Sequence, residues 1–324
     1  MALNRRPEDI RFYVIDLGGG QLAALDRLPH VAGVAGREEG EKIRRIVDEV
    51  AGFIRRPESR ETFLIIDGWH HIGPSNAEFE DIAESITDIV ADGASANVHV
   101  VIATSRWTTM RPAIRDLIAH RLELRLGEAL DSLIDRKLQQ KLPSAPGRGL
   151  TQAGENMLLA HTSNQDIAHI CRVHANAVPA PQLKMLPAVL TPEALAAHGE
   201  APTGGIPWGI GGRDLSTLAW NPEREPHLVA IGAQGCGKSN FLAQVMRGIS
   251  RLPREAARLV VIDQRRAHLG TLDQDMVAAY AATQSSAQEE IVNTVRTLEQ
   301  RLPGPDITPE QLAARDWWAG PDIY

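Results

Sequence analysis

Residues 232–239 read GAQGCGKS, and the stretches on either side decide what the chain builds around them. The octapeptide fits G-x-x-x-x-G-K-[ST] at every fixed position: Gly232, Gly237, Lys238 and Ser239. Ahead of it, His227-Leu228-Val229-Ala230-Ile231 has the composition of a short buried strand. Behind it, Phe241, Leu242, Val245, Met246 and Ile249 recur at helical spacing. Strand, glycine loop and helix form the context in which such a motif becomes a phosphate site. Glycines let successive backbone N–H groups turn inward, and the helix N-terminus adds partial positive charge. In this reading Gly232, Gly235, Cys236, Gly237, Lys238, Ser239 and Asn240 cradle ATP. Lys238 reaches the β/γ-phosphates and Ser239 ligates Mg²⁺.

Composition narrows the class. A chain of 324 residues has the length of about two domains, and 43% hydrophobic residues suffice for two cores. A net charge of −7 argues against coating nucleic acid by bulk charge. Two cysteines, Cys171 and Cys236, imply no disulfide framework and fit a reducing compartment. Cys236 reads as a small residue tolerated in the loop. No run approaches the ~18 apolar residues of a membrane span, and the N-terminus does not read as a signal peptide. The expected location is cytoplasmic, with any membrane association through a partner.

The chain also carries weak internal similarity. FYVIDLGGGQLAALD at 12–26 aligns with LVVIDQRRAHLGTLD at 259–273, so that Asp16 meets Asp263 and Asp26 meets Asp273. A helical stretch follows each copy, Glu38 to Arg56 and Ala287 to Leu302. After the first comes Phe63-Leu64-Ile65-Ile66-Asp67, the Walker B form of an apolar strand delivering a carboxylate at its C-terminal end. In the repeat's register, a P-loop equivalent to 232–239 falls before Met1, and an acid equivalent to Asp67 falls after Tyr324. The expectation is the back of one ATPase module joined to the front of another. It divides the chain into 1–175, a degenerate module with Walker B at 63–67; 176–205, a proline-rich linker; and 206–324, a second module with the P-loop. Strands alternating with helices through 79–126 predict an α/β fold with mainly parallel sheets flanked by helices. The strand at 98–103 ends in Thr104-Ser105-Arg106, where a γ-phosphate sensor would lie. His70-His71 reads as a surface turn whose neighbouring side chains point apart.

Several motifs together resemble the FtsK/SpoIIIE-type motor ATPases, and within them the EccC family of type VII secretion. They are Asp67-Gly68-Trp69, the glycines at 18–20, Leu28-Pro29-His30, Arg106-Trp107, Arg111-Pro112 and Pro146 to Leu150. In the second half they are Asp263-Gln264-Arg265-Arg266, Leu302 to Asp306 and Trp317-Trp318. The resemblance implies RecA/FtsK-like P-loop modules in tandem. It also implies neighbouring ATPase modules, membrane-embedded secretion components and secreted helical-hairpin substrates as partners. The site residues it implies are Lys238 and Asp67, with Arg106 or Arg111 as a finger for a neighbouring nucleotide.

Gly68 stands where a hydrolysing member has a water-polarising Glu, so a module with Asp67 alone binds Mg²⁺-nucleotide better than it cleaves it. Three functions stay open on the sequence: part of a secretion motor, an FtsK-like DNA translocase fragment, and a non-hydrolysing nucleotide-binding regulator. The acidic charge and the lack of a basic pore loop argue against DNA.

Overall fold

The computed structural model describes residues 1–72, 79–201, 205–212, 214–314, 317–318 and 320–324. The chain divides into two compact units, Met1–Met185 and Leu186–Tyr324.

The first unit is built on β1 (Ile10–Asp16), whose seven residues are all buried. A strand buried on both faces belongs inside a parallel sheet. It is flanked by β2 (Val31–Gly36) and, across the helix α1 (Gly40–Arg55), by β3 (Glu61–Asp67). After α2 (Glu80–Asp92) comes β4 (Val98–Ala103), giving the order β2-β1-β3-β4 with every pairing parallel. Ile43, Ile46, Val47, Val50 and Phe53 line one face of α1 at helical spacing, and all are buried in the main core with Ile82, Ile86 and Ile89 of α2. Parallel register brings Asp16, Asp67 and Ala103 level at the carboxyl edge of the sheet, the edge where open α/β folds place ligands.

The unit continues with α3 (Pro112–Leu117), β5 (Leu122–Leu124), α4 (Arg136–Lys141), β6 (Arg148–Thr151), β7 (Asn156–Leu158) and α5 (Asn164–Val173). The strands β5-β6-β7 make a small antiparallel sheet. Part of the proline-rich stretch 176–205 belongs to this unit. Ala180 and Leu183 donate their N–H groups to the carbonyls of Pro29 and Ala32, and the Gln182 side chain donates to that of Val31. Residues 180–183 thereby strap the outer edge of β2.

The second unit contains α6 (Pro192–Ala197), the hairpin β8 (Ile206–Gly211) and β9 (Ser216–Trp220), and α7 (Lys238–Ile249). Then come β10 (Ala257–Ile262), β11 (Val277–Ala281), α8 (Gln284–Glu299), α9 (Pro309–Ala314) and β12 (Asp322–Ile323). The order β11-β10-β12 is parallel throughout and reproduces β2-β1-β3. Even the irregularity repeats. The register shifts between Phe12 and Tyr13 against β2, and between Leu259 and Val260 against β11, which are equivalent positions when Asp16 is set on Asp263.

One expectation is corrected. Residues 227–231 form no strand: Val229 is 78% and Ile231 92% exposed, because no strand of the described residues lies alongside them and β10 is already paired on both sides. The two units differ at α8: Ile291, Val292, Val295 and Leu298 repeat the apolar spacing of α1 but stay exposed, since among the described residues no helix packs on α8 as α2 packs on α1.

Candidate functional site

The loop at 232–237 leads into α7 through two glycines in the left-handed region, Gly235 at φ +79° and Gly237 at φ +99°. A side chain at either position would carry a strain of ~1–2 kcal/mol. Gly232 leaves room for the Cys236 side chain: a Cβ there would lie 2.4 Å from Cys236 Sγ, which folds over it. The result is a concave loop. Among the described residues, no N–H from Gly235 to Asn240 donates to another protein group; the first returning bond is Phe241 N–H to the Gly237 carbonyl. The cradle is completed by Lys238, whose Nζ donates to the carbonyls of Gly232 and Ala233, each at 2.7 Å, and lies 3.8 Å from Cys236 Sγ. Ser239 and Asn240 are exposed in the first turn of α7. A row of free donors, an ammonium inside the loop and a hydroxyl at the helix start fit a nucleotide's phosphates and a Mg²⁺ ion. Gly232, Gly235, Cys236, Gly237, Lys238, Ser239 and Asn240 are thus brought together.

Asp67 and Arg106 belong to the other unit. Asp67 ends β3, and its carboxylate packs against Gly18: a Cβ on Gly18 would lie 2.1 Å from Asp67 Oδ2. Gly68 is left-handed at φ +78°, and a Cβ there would lie 2.8 Å from Gly18 N and 2.9 Å from the Leu17 carbonyl carbon. A glutamate after Asp67 is therefore excluded by backbone packing. The side chain of Arg106 is exposed, beside a cavity of about 740 Å³ set between β4 and β5. Arg111 instead pairs with Glu80 at 3.0 Å on the surface. Thr104 and Thr109 join their hydroxyls at 2.8 Å, closing the turn that carries Arg106.

His70 and His71 occupy a turn, as expected, but their side chains do not point apart. They lie in a 3₁₀ turn, Trp69–His71, which brings their rings together at 4.1 Å. Burial, then His70 and Arg37, pushes the His71 pKa down. Among the described residues, no group of three His, Cys, Asp or Glu is placed to hold a metal ion.

Sequence reasoning assigned no role to the partners of Asp16 and Asp263. Asp16 accepts from the N–H groups of Gly20 (3.2 Å) and Leu22 (2.7 Å). Asp263 accepts from His268 N–H at 2.8 Å and the Tyr280 hydroxyl at 2.9 Å. Burial opposes the Asp263 charge, but these hydrogen bonds hold its pKa below the usual carboxylate range. Both acids fix the turn after their strand. Beyond the turn at Asp263, a cavity of about 330 Å³ is lined by His268, Leu272, Gln274 and Val277 to Tyr280.

The chain is 34% identical over its whole length to the ESX secretion system protein EccC of Thermomonospora curvata, of which it spans 28%. It is 33% identical over 97% of its length to the ESX-4 secretion system protein EccC4 of Mycobacterium tuberculosis, of which it spans 27%. It is also similar to a solved structure of Thermomonospora curvata EccC (ATPases 2 and 3) in complex with a signal sequence peptide. That comparison has a TM-score of 0.73 at 34% identity and covers 99% of this chain and 65% of that one. Residues 1–169 match the FtsK/SpoIIIE family. Tandem parallel sheets, the loop at 232–239 and these similarities agree: the chain belongs to the FtsK/SpoIIIE family.

Proposed function

We propose that this chain is the nucleotide-binding part of a type VII secretion motor. Its second unit binds ATP with Mg²⁺ through Gly232 to Asn240, and its first is a degenerate ATPase module. The observation that carries the proposal is the set of free N–H groups from Gly235 to Asn240 around Lys238. Its motor partners are further ATPase modules and membrane-embedded secretion components, with the chain at the inner face of the cell membrane. No described helix is long and apolar enough to cross a membrane.

A related EccC structure contains a signal sequence peptide, and the internal repeat suggests where such a peptide fits here. In the first unit the outer edge of β2 is strapped by residues 180–183. The equivalent edge in the second unit, that of β11, has no strand partner other than β10 among the described residues and adjoins the 330 Å³ cavity. An extended segment of an exported helical-hairpin protein, adding to β11, would use the same backbone groups.

Calorimetry with ATP and Mg²⁺ tests the nucleotide site. Binding that survives Lys238→Ala unchanged would overturn it. Duplex DNA should bind no more tightly than the non-specific range of about 10⁻⁴–10⁻⁶ M at physiological salt. Salt-sensitive nanomolar binding would favour a DNA translocase.

A further inference from the structure

The first unit contains a polar corner that the nucleotide chemistry does not use. His30 is fully buried between the N-terminal segment, the start of β2 and the end of α5. Its Nε2 lies 2.9 Å from the Arg5 carbonyl oxygen, so Nε2 carries the proton in the neutral ring. His174, just past α5, packs edge-on against it with ring centroids 4.8 Å apart. Glu8 accepts from Val178 N–H at 3.1 Å and from Arg6 at 2.9 Å through Oε1. Three buried atoms in these side chains have no hydrogen-bond partner: His30 Nδ1, His174 Nε2 and Glu8 Oε2. Such a group is a standing cost to the folded state and responds sharply to a change of charge.

The same corner holds the strap. Val178 is held by Glu8 itself, and Ala180 and Gln182 bond to the carbonyls of Pro29 and Val31, the residues on either side of His30. We propose that His30 is a proton-operated pin for the strap: with the ring neutral, residues 178–183 stay docked on β2, and protonation of the buried ring releases them.

The groups facing His30 set the sign. Burial disfavours the imidazolium most. The Arg5 carbonyl and Glu8 favour it, while His174 and the amino terminus oppose it, and the balance places the pKa below the usual histidine value. The released state, with His30 in water, binds the proton more readily. Docking is therefore at full strength above the ordinary pKa of ~6.5 and weakens as pH falls below it. A ring that titrates at ~6.5 when released and at a lower pH when docked raises the released fraction by up to about tenfold between pH 7.5 and pH 5.5.

Hydrogen exchange of the whole chain, corrected for intrinsic rates, tests this at the amides of Ala180 and Leu183. Their protection should fall severalfold, by up to about tenfold, from pH 7.5 to pH 5.5, while that of Leu64 and Ile66 inside β3 holds. In His30→Gln, which keeps a donor for the Arg5 carbonyl but cannot titrate, strap protection should be equal at the two pH values. Equal protection in the unaltered chain, or the same fall in His30→Gln, overturns the proposal. Should His30→Gln not fold, ring titration of the unaltered chain by NMR decides: strap release with a midpoint different from that of His30 overturns it.

Discussion

Lys238 and Gly232 hold each other within the loop: the lysine Nζ donates to the glycine carbonyl at 2.7 Å. The ammonium is thereby kept inside the ring of N–H groups rather than in solvent. A phosphate group entering the loop exchanges carbonyl acceptors for a charged one, which is the stronger partner. Lys238→Ala should weaken ATP binding by about a hundredfold, the loss of one or two charge-assisted bonds at roughly 1.5–3 kcal/mol each. Calorimetry reads this directly.

Gly237→Ala should also lose affinity, for a different reason. Its φ of +99° is the turn that starts α7, so alanine strains the loop without removing charge. The loop is exposed, so the thermal midpoint should move little while nucleotide affinity falls about tenfold, the equivalent of ~1–2 kcal/mol. Comparing calorimetry with a melting curve separates the two effects.

Turnover by this chain should be negligible. Asp67 is followed by Gly68 rather than by a carboxylate, and Gly68→Glu should not supply a working one, because its Cβ meets the backbone of Leu17 and Gly18. The expected outcome of Gly68→Glu is a lower melting temperature with no gain in phosphate release. Lys238-dependent hydrolysis at several turnovers per second from the unaltered chain would contradict this assignment.

Glu123 predicts an acid-sensitive region. It is buried, and burial alone would raise its pKa. Hydrogen bonds from Ser132, Leu133 N–H, Trp107 Nε1 and Gln139 outweigh that and hold it below the ordinary 4.5. A carboxylate with a depressed folded pKa adds stability above its unfolded pKa and loses it as pH falls through the folded value. Urea midpoints from pH 7 to pH 3 should fall in the unaltered chain, and this share of the fall should vanish in Glu123→Gln.

Much of this was legible in the residues. The alignment of Asp16 with Asp263 foretold two matching sheets because a strand buried on both faces writes itself as an unbroken apolar run, as in Ile10–Asp16. The P-loop was legible for the same local reason: glycines at 235 and 237 and the lysine after them are fixed by backbone geometry within a few residues. The strand expected at 227–231 was not formed, since apolar composition states only that a segment suits a sheet, while pairing depends on distant neighbours. The strap was hidden for a related reason. Ala-Pro-Gln-Leu at 180–183 has no pattern of its own, and its order comes from the carbonyls of Pro29, Val31 and Ala32.

The bare apolar stripe on α8 has a consequence for how the molecule comes apart. The matching stripe on α1 is sealed within a core, whereas Ile291, Val292, Val295 and Leu298 gain only part of the stabilisation that burial gives. The unit carrying the P-loop should therefore melt first, in a transition of its own, and calorimetric scans should show two steps rather than one. ATP would raise only the lower step, so that nucleotide serves this chain partly as a folding ligand for the half that holds it.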